Sequence, residues 1–268
     1  MKTKIIISSI LIFLVTLIAV LFGAVFRLRK QSVKVVGDES ITVSAEEIIS
    51  SAKLNNGGSI FFLDKEKATA NVEASIPNIK VIQIKTTSVT SVEIVVRARV
   101  ETYYTYVNGT YYLMDEDLKV LNKTTNLDLA VSLIHIKDSL LDIETQTEIG
   151  DFVGENYQEI FYNLYTGIYN SATKVVDGVA HYLTRQEVIN FVKDVTIEKG
   201  NTLTERYNRL IVKTSTGVLF DIAKPNENLQ DKINMCISAY ESGEYDKTQG
   251  TIKYYYLEDG TLRFDYFA

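Results

Sequence analysis

The chain has 268 residues, with 28 basic against 34 acidic side chains, two histidines and one cysteine. Residues 1–30 carry five of the basic residues and no acidic one, so residues 31–268 hold 23 basic and 34 acidic side chains, a formal charge of −11. Such a surface repels phosphate backbones and anionic headgroups, which argues against nucleic-acid binding, and a single cysteine excludes an internal disulfide.

The first element is apolar. The run from Ile5 to Phe26 reads IIISSILIFLVTLIAVLFGAVF and contains no charge. A helix of that length reaches roughly 33 Å, enough for a hydrocarbon core about 30 Å thick. A cleaved signal peptide ordinarily has an apolar region of about 7–15 residues and a small-x-small cleavage site. This run is longer and leads into Arg27-Leu28-Arg29-Lys30, so an uncleaved transmembrane helix is expected. Positive charge marks the cytoplasmic flank, but Lys2 and Lys4 on one side nearly balance Arg27, Arg29 and Lys30 on the other. Charge alone leaves the orientation open.

The next segment reads strand, helix, helix, strand, strand. Residues 32–36 form a short strand closed by Gly37. Ser44-Ala45-Glu46-Glu47 has the capping-box form, and Ala45, Ile48, Ile49 and Ala52 follow at helical spacing. Asn55-Asn56-Gly57-Gly58 ends that helix with residues that tolerate positive φ. Asp64 caps a second helix, with Ala68, Val72 and Ile76 on one face, and Pro77-Asn78 stops it. Residues 79–85 and 92–100 are strands. In the latter Val92, Ile94 and Val96 alternate with Glu93, Val95 and Arg97, the period of a sheet with one covered face.

The rest is β-rich. Tyr103–Val107 and Thr110–Met114 flank Asn108-Gly109, a strong hairpin signal. Asp115-Glu116-Asp117 is expected as a solvated turn leading into a strand at 118–121. Residues 155–182 read as helical, with Ile160, Leu164 and Ile168 on one face. Thr184-Arg185-Gln186-Glu187 is a second capping box. Strands follow at 195–198, 209–213 and 218–222. A helix then carries Leu229, Ile233, Cys236, Ile237 and Tyr240 on one face. The chain closes with a hairpin, Thr251–Tyr256 and residues 261–267, around Glu258-Asp259-Gly260.

The sequence holds no specific catalytic constellation. His135 and His181 have no cysteine or second histidine at ligand spacing, and no Gly-rich phosphate loop or nucleophile elbow occurs. Cys236 lies on an apolar helical stripe, where cysteine acts as a small hydrophobe. The expectation is a protein without catalytic, cofactor or metal residues. Tyrosine, with 17 copies and no tryptophan beside it, is the unusual feature. Tyr103, Tyr104, Tyr106, Tyr111, Tyr112 and Tyr254-Tyr255-Tyr256 lie on expected strands, where tyrosine suits both sheet packing and interfaces. The closing hairpin is the better interface candidate, because a terminal strand offers unpaired backbone groups to an added one.

In order and spacing these elements resemble the bacterial cell-division family FtsQ/DivIB. Val33-Lys34-Val35-Val36-Gly37 is similar to the strand opening that family's POTRA domain, and Ser44-Ala45-Glu46-Glu47-Ile48-Ile49 resembles its first helix. Asn56-Gly57-Gly58-Ser59-Ile60-Phe61-Phe62-Leu63-Asp64 resembles the loop into its second helix, and Ile76-Pro77-Asn78-Ile79-Lys80-Val81 the turn after it. Residues 111–121 are similar to the hairpin opening the β domain. Lys232 and Gly250-Thr251-Ile252-Lys253-Tyr254 resemble the closing elements. Three positions depart. Ala98-Arg99-Val100-Glu101 lacks the proline of a Glu-Arg-x-Pro pattern, Leu118 replaces a glycine, and Lys253 replaces an aspartate.

The resemblance implies an α+β fold: an N-terminal transmembrane helix, a βααββ POTRA-type domain, and a larger mixed, mainly antiparallel β domain with packed helices. The implied divisions are a cytoplasmic tail at 1–4, the transmembrane helix at 5–26, the POTRA-like domain at 27–101 and the β domain at 102–268. It implies a non-enzymatic divisome scaffold in the cell membrane at the division septum, N-terminus cytoplasmic and C-terminal domain outside. Its partners would be FtsB/DivIC-like and FtsL-like proteins, with no cofactor, nucleic acid or small-molecule substrate. Strand addition at the last β-strand would place Tyr254, Tyr256, Leu262, Phe264 and Tyr266 on the accepting edge. The alternative is an anchored POTRA protein of another envelope complex, an export or sporulation channel.

Overall fold

The computed structural model describes residues 2–20, 23, 25–37, 40–137, 141–144, 146–200, 207–244, 246–257 and 261–268, with backbone alone for residues 2–8 and Leu262. The chain forms two compact units, Met1–Arg99 and Val100–Ala268. The closing turn at 258–260 and residues 21, 22 and 24 of the apolar run lie outside the described residues.

The first unit begins with helix α1 (Lys2–Val20). Five consecutive apolar side chains, Ile10, Leu11, Ile12, Phe13 and Leu14, are all exposed. At 3.6 residues per turn they cover the whole circumference, so the helix has no polar face along this stretch. Among the described residues, no helix is long and apolar enough to cross a membrane.

The βααββ order follows: β1 (Lys30–Val35), α2 (Ala45–Ala52), a 3-10 turn (Ile60–Phe62), α3 (Lys65–Ser75), β2 (Ile79–Ser88) and β3 (Ser91–Ala98). The Ser44 side chain accepts from the Glu47 N–H and starts α2. Asp64 does the same for α3 through the Lys67 N–H. The sheet order is β1-β3-β2, with β1 parallel and β2 antiparallel to β3. Ile48, Ala52, Ala68 and Val72 pack against Ile79, Val92, Ile94 and Val96. Full burial of each large aliphatic side chain contributes about 1.5–3 kcal/mol.

Arg99 closes this unit. Its Nε donates to the Ile79 carbonyl at 3.2 Å and its Nη2 lies 2.8 Å from Glu73 Oε2 on α3. The Glu73 Oε1 accepts from the Val81 N–H. One buried ion pair thereby joins the second helix to the start of β2, in a segment whose sequence lacks the family's proline.

The second unit contains β4 (Tyr103–Val107), β5 (Thr110–Met114), β6 (Val120–Thr124), α4 (Leu127–Ala130), β7 (Ile134–Ile136), α5 (Gln158–Ser171), β8 (Thr173–Val176), β9 (Val179–Tyr182), α6 (Arg185–Phe191), β10 (Val192–Glu198), β11 (Arg209–Thr214), β12 (Leu219–Ala223), α7 (Leu229–Glu241), β13 (Thr251–Tyr256) and β14 (Leu262–Phe267). Its main sheet has the order β14-β13-β12-β11-β10-β7-β4-β5-β6. Most pairs are antiparallel; β7 pairs parallel with both β4 and β10, and β12 with β13. Helices α5 and α7 pack together beside it. Gly167 permits their close approach, since an added Cβ would sit 3.1 Å from Ile233 Cδ1.

Two expectations are corrected. Residues 155–182 are not helical throughout: α5 ends at Ser171, and β8 and β9 form a separate hairpin around Asp177-Gly178, both at positive φ. Asp115-Glu116-Asp117 is not a solvated turn, because Asp115 and Glu116 are 0% and 1% exposed. Asp115 Oδ1 accepts from the Asp117 and Lys119 N–H groups, folding the turn onto its own carboxylate. Residues 150–153 bond across Leu118 and Val120, covering it. Arg185 Nη2 lies 3.6 Å from Glu116 Oε2 and supplies the opposing charge.

Candidate partner-binding edge

The closing hairpin forms one end of the nine-stranded sheet. β13 pairs in parallel with β12, placing Leu219 opposite Thr251 and Ile222 opposite Tyr254. β14 pairs antiparallel with β13, Tyr256 opposite Leu262, Tyr254 opposite Phe264 and Ile252 opposite Tyr266. Among the described residues, no strand lies beyond β14.

Backbone polarity on that edge follows from the register. The Leu257 N–H donates to the Thr261 carbonyl at 2.8 Å, which makes 257/261 a hydrogen-bonded pair. Antiparallel pairs alternate between hydrogen-bonded and non-bonded sites. Residues 263, 265 and 267 of β14 therefore bond back to β13. Leu262, Phe264 and Tyr266 turn their N–H and C=O groups to the open side.

Of the five expected residues, Tyr254, Tyr256, Phe264 and Tyr266 share one sheet face, because opposed residues point the same way and strand side chains alternate. That face looks toward α7. Tyr254 is buried, with its ring edge-on to Phe264 at 6.3 Å. Tyr256 meets Tyr207 edge-on at 5.6 Å. Phe264 and Tyr266 are half-buried against the core. The Tyr266 hydroxyl donates to the Gln249 carbonyl at 3.0 Å. Gly250 has φ +94°, a backbone state that side chains rarely adopt, and a Cβ there would strike the Tyr266 hydroxyl and ring. Tyr254 and Tyr256 thus lie one strand in from the edge, and the side chain of Leu262 is outside the described residues.

Lys232 on α7 organises this corner. It is 2% exposed, and its Nζ donates to the Ala223 and Lys224 carbonyls at 2.9 and 2.8 Å. The same ammonium lies over the Tyr254 and Tyr256 rings at 5.4 and 5.8 Å, a cation–π arrangement. Burial pushes its pKa down. On the other sheet face, Lys253 lies opposite Asp221 and 3.6 Å from its carboxylate, which also binds Arg209. The acid of this pair stands on β12, so lysine at 253 completes the charge rather than leaving the site empty.

Sequence reasoning missed the surface beside the edge. A groove of about 390 Å³ runs between α7 and β14, lined by Asn234, Met235, Ser238, Ala239, Ser242, Glu244 and Phe264. Met235 and Ser238 fall outside the Ile233–Cys236–Ile237 stripe, and that phase was the available signal. The other candidate groups are used structurally. Cys236 is fully buried, and desolvation pushes its thiol pKa up, the opposite of activation. His135 Nδ1 lies 3.0 Å from Asp194 Oδ1, and its ring stacks on Tyr104. Tyr103 is buried, and its hydroxyl donates to the Phe161 carbonyl at 2.9 Å.

The family model described as "POTRA domain, FtsQ-type" matches residues 28–99, which bears out the family resemblance over the βααββ segment. Among solved structures, the chain matches the major extracytoplasmic domain of the trans isomer of the bacterial cell division protein DivIB from Geobacillus stearothermophilus. That match has 12% identity over 55% of this chain and 98% of the other, with a TM-score of 0.28. At that score the likeness adds nothing to the fold seen here. No curated protein matches the chain.

Proposed function

We propose, from the premise that this chain carries the POTRA domain of the FtsQ/DivIB family at residues 28–99, that it is a non-enzymatic scaffold of bacterial cell division. The run from Ile5 to Phe26 anchors it in the cell membrane. Its support is an uncharged stretch long enough to span and apolar side chains exposed around α1. Residues 1–4 lie in the cytoplasm and residues 27–268 outside, as a POTRA-like domain to 101 and a β domain from 102. The partners are FtsB/DivIC-like and FtsL-like membrane proteins, gathered at the septum.

The observation that carries the binding reading is the edge of β14. It turns alternate N–H and C=O groups outward, those of Leu262 and Phe264 among them, and an extended partner segment adds there as a further strand. Phe264 and Tyr266 then border the added strand. Tyr254 and Tyr256 hold the hairpin flat from within, and the α7–β14 groove receives the partner's apolar side chains. Main-chain bonds supply register, and the groove supplies selectivity.

The test is binding of soluble FtsB/DivIC-like and FtsL-like ectodomains to the full chain in nanodiscs. Micromolar or tighter binding supports the scaffold, and no binding to a folded chain counts against it. A fluorescent fusion gathering at midcell supports division, whereas a uniform rim points to another envelope complex.

A further inference from the structure

The apolar run ends against an aromatic loop of the POTRA unit. The Ile60 N–H donates to the Phe26 carbonyl at 2.8 Å, and Arg27 bridges Ser59 in antiparallel fashion. Leu28 then exchanges bonds with the loop, donating to the Gly58 carbonyl at 2.9 Å and accepting from the Gly57 N–H at 2.8 Å. Its side chain is 1% exposed in the core of the unit. No spacer separates Phe26 from the folded domain.

The 3-10 turn that follows divides its side chains sharply. Ile60 enters the core at 5% exposure, whereas Phe61 and Phe62 are 58% and 79% exposed. The Phe61 ring stands edge-on to Phe26 at 4.9 Å. Three aromatic rings therefore gather where the uncharged run stops. Arg27, Arg29 and Lys30 follow in the chain, and beyond the loop Asp64 and Glu66 are balanced by Lys65 and Lys67.

We propose that Phe61 and Phe62 insert into the outer interface of the bilayer, as a second membrane contact of the POTRA unit. Chain continuity selects lipid as the occupant. A run that spans from Ile5 delivers Phe26 to the bilayer surface, and Phe26 is hydrogen-bonded to this loop. Exposed rings lose their contact with water in the interface. The domain is then held by the helix and by the two rings, which limits its rotation about the anchor. This inference rests on the membrane-anchor reading above.

The chain contains no tryptophan, so a single introduced indole reports its own surroundings. Three full-length variants, Phe62→Trp, Phe13→Trp and Tyr182→Trp, are reconstituted in phosphatidylcholine–phosphatidylglycerol vesicles whose acyl chains are brominated near the headgroup in one set and near the chain end in another. Tyr182 is 67% exposed and serves as the aqueous control. The Phe62→Trp emission is expected to shift to shorter wavelength than the control, to be lost to bromolipid and to resist aqueous acrylamide. If the Phe13→Trp emission is lost to bromolipid while Phe62→Trp behaves like the control, the insertion is overturned and the anchor stands. If Phe13→Trp is also untouched by bromolipid, anchor and insertion fall together.

Discussion

At the scale of single residues, Leu118 shows how a departure from a family pattern is absorbed. It has φ +61°, a backbone state that glycine enters freely and that costs a branched side chain roughly 1 kcal/mol or more. Its side chain is nevertheless fully buried, beside the turn built on Asp115. Apolar contact offsets the backbone strain. Truncation to alanine removes the contact and keeps the strain, whereas glycine loses both. Leu118→Ala is therefore expected to cost about 3 kcal/mol, and Leu118→Gly is expected to cost less than Leu118→Ala. That order reverses the usual one for a buried site, and urea unfolding of the two variants checks it. Arg99 is the counterpart in the first unit. Arg99→Ala removes the 2.8 Å ion pair to Glu73 and the bond to the Ile79 carbonyl and is expected to destabilise that unit by about 3 kcal/mol, read from the hydrogen exchange of β2 and β3 amides.

At the scale of elements, caps and turns decide where helices and strands begin. The Thr184–Glu187 box stands as its sequence implies, and Glu187 also binds Lys174 of β8. These bonds pull the Glu187 pKa from 4.5 to about 2, the Lys174 contact contributing most. A carboxylate with a lowered folded pKa adds stability above its unfolded pKa and loses it as pH falls through the folded value. The α6 start is thus expected to hold at pH 5 and to loosen between about pH 4 and pH 2. In Glu187→Gln the acid-dependent part of the exchange at the α6 N-terminus is expected to vanish. For the terminal hairpin, proline and alanine at position 264 separate backbone from side chain. Both lose the ring, but only Phe264→Pro loses the N–H turned to the open side. Partner affinity is expected to fall further for proline than for alanine, and equal affinities would place the binding surface elsewhere.

Across the whole molecule, elements with a clear local cause were legible in the sequence. Asn108-Gly109, the Ser44 and Asp64 caps, and the Thr184 box each carry their own hydrogen-bond partner within a few residues. The βααββ order followed from them. The burial of Asp115 and Glu116 was not legible, because residues 150–153 and Arg185 arrive from far along the chain. The β8–β9 hairpin was missed although Asp177-Gly178 marks it, since the helical spacing of Ile160, Leu164 and Ile168 was extended too far. At the candidate edge, the strands were legible but not their register. Alternation put Tyr254, Tyr256, Phe264 and Tyr266 on one face, and only the register turns the backbone groups of Leu262, Phe264 and Tyr266 outward.

Amide-resolved hydrogen exchange of β14, with and without bound partner, tests strand addition most directly. In the free chain, Arg263 and Asp265 are expected to be slow through β13, and Phe264 fast. Partner binding is expected to slow Phe264 while leaving Arg263 and Asp265 little changed. Fast exchange at Phe264 in a saturated complex would contradict the account.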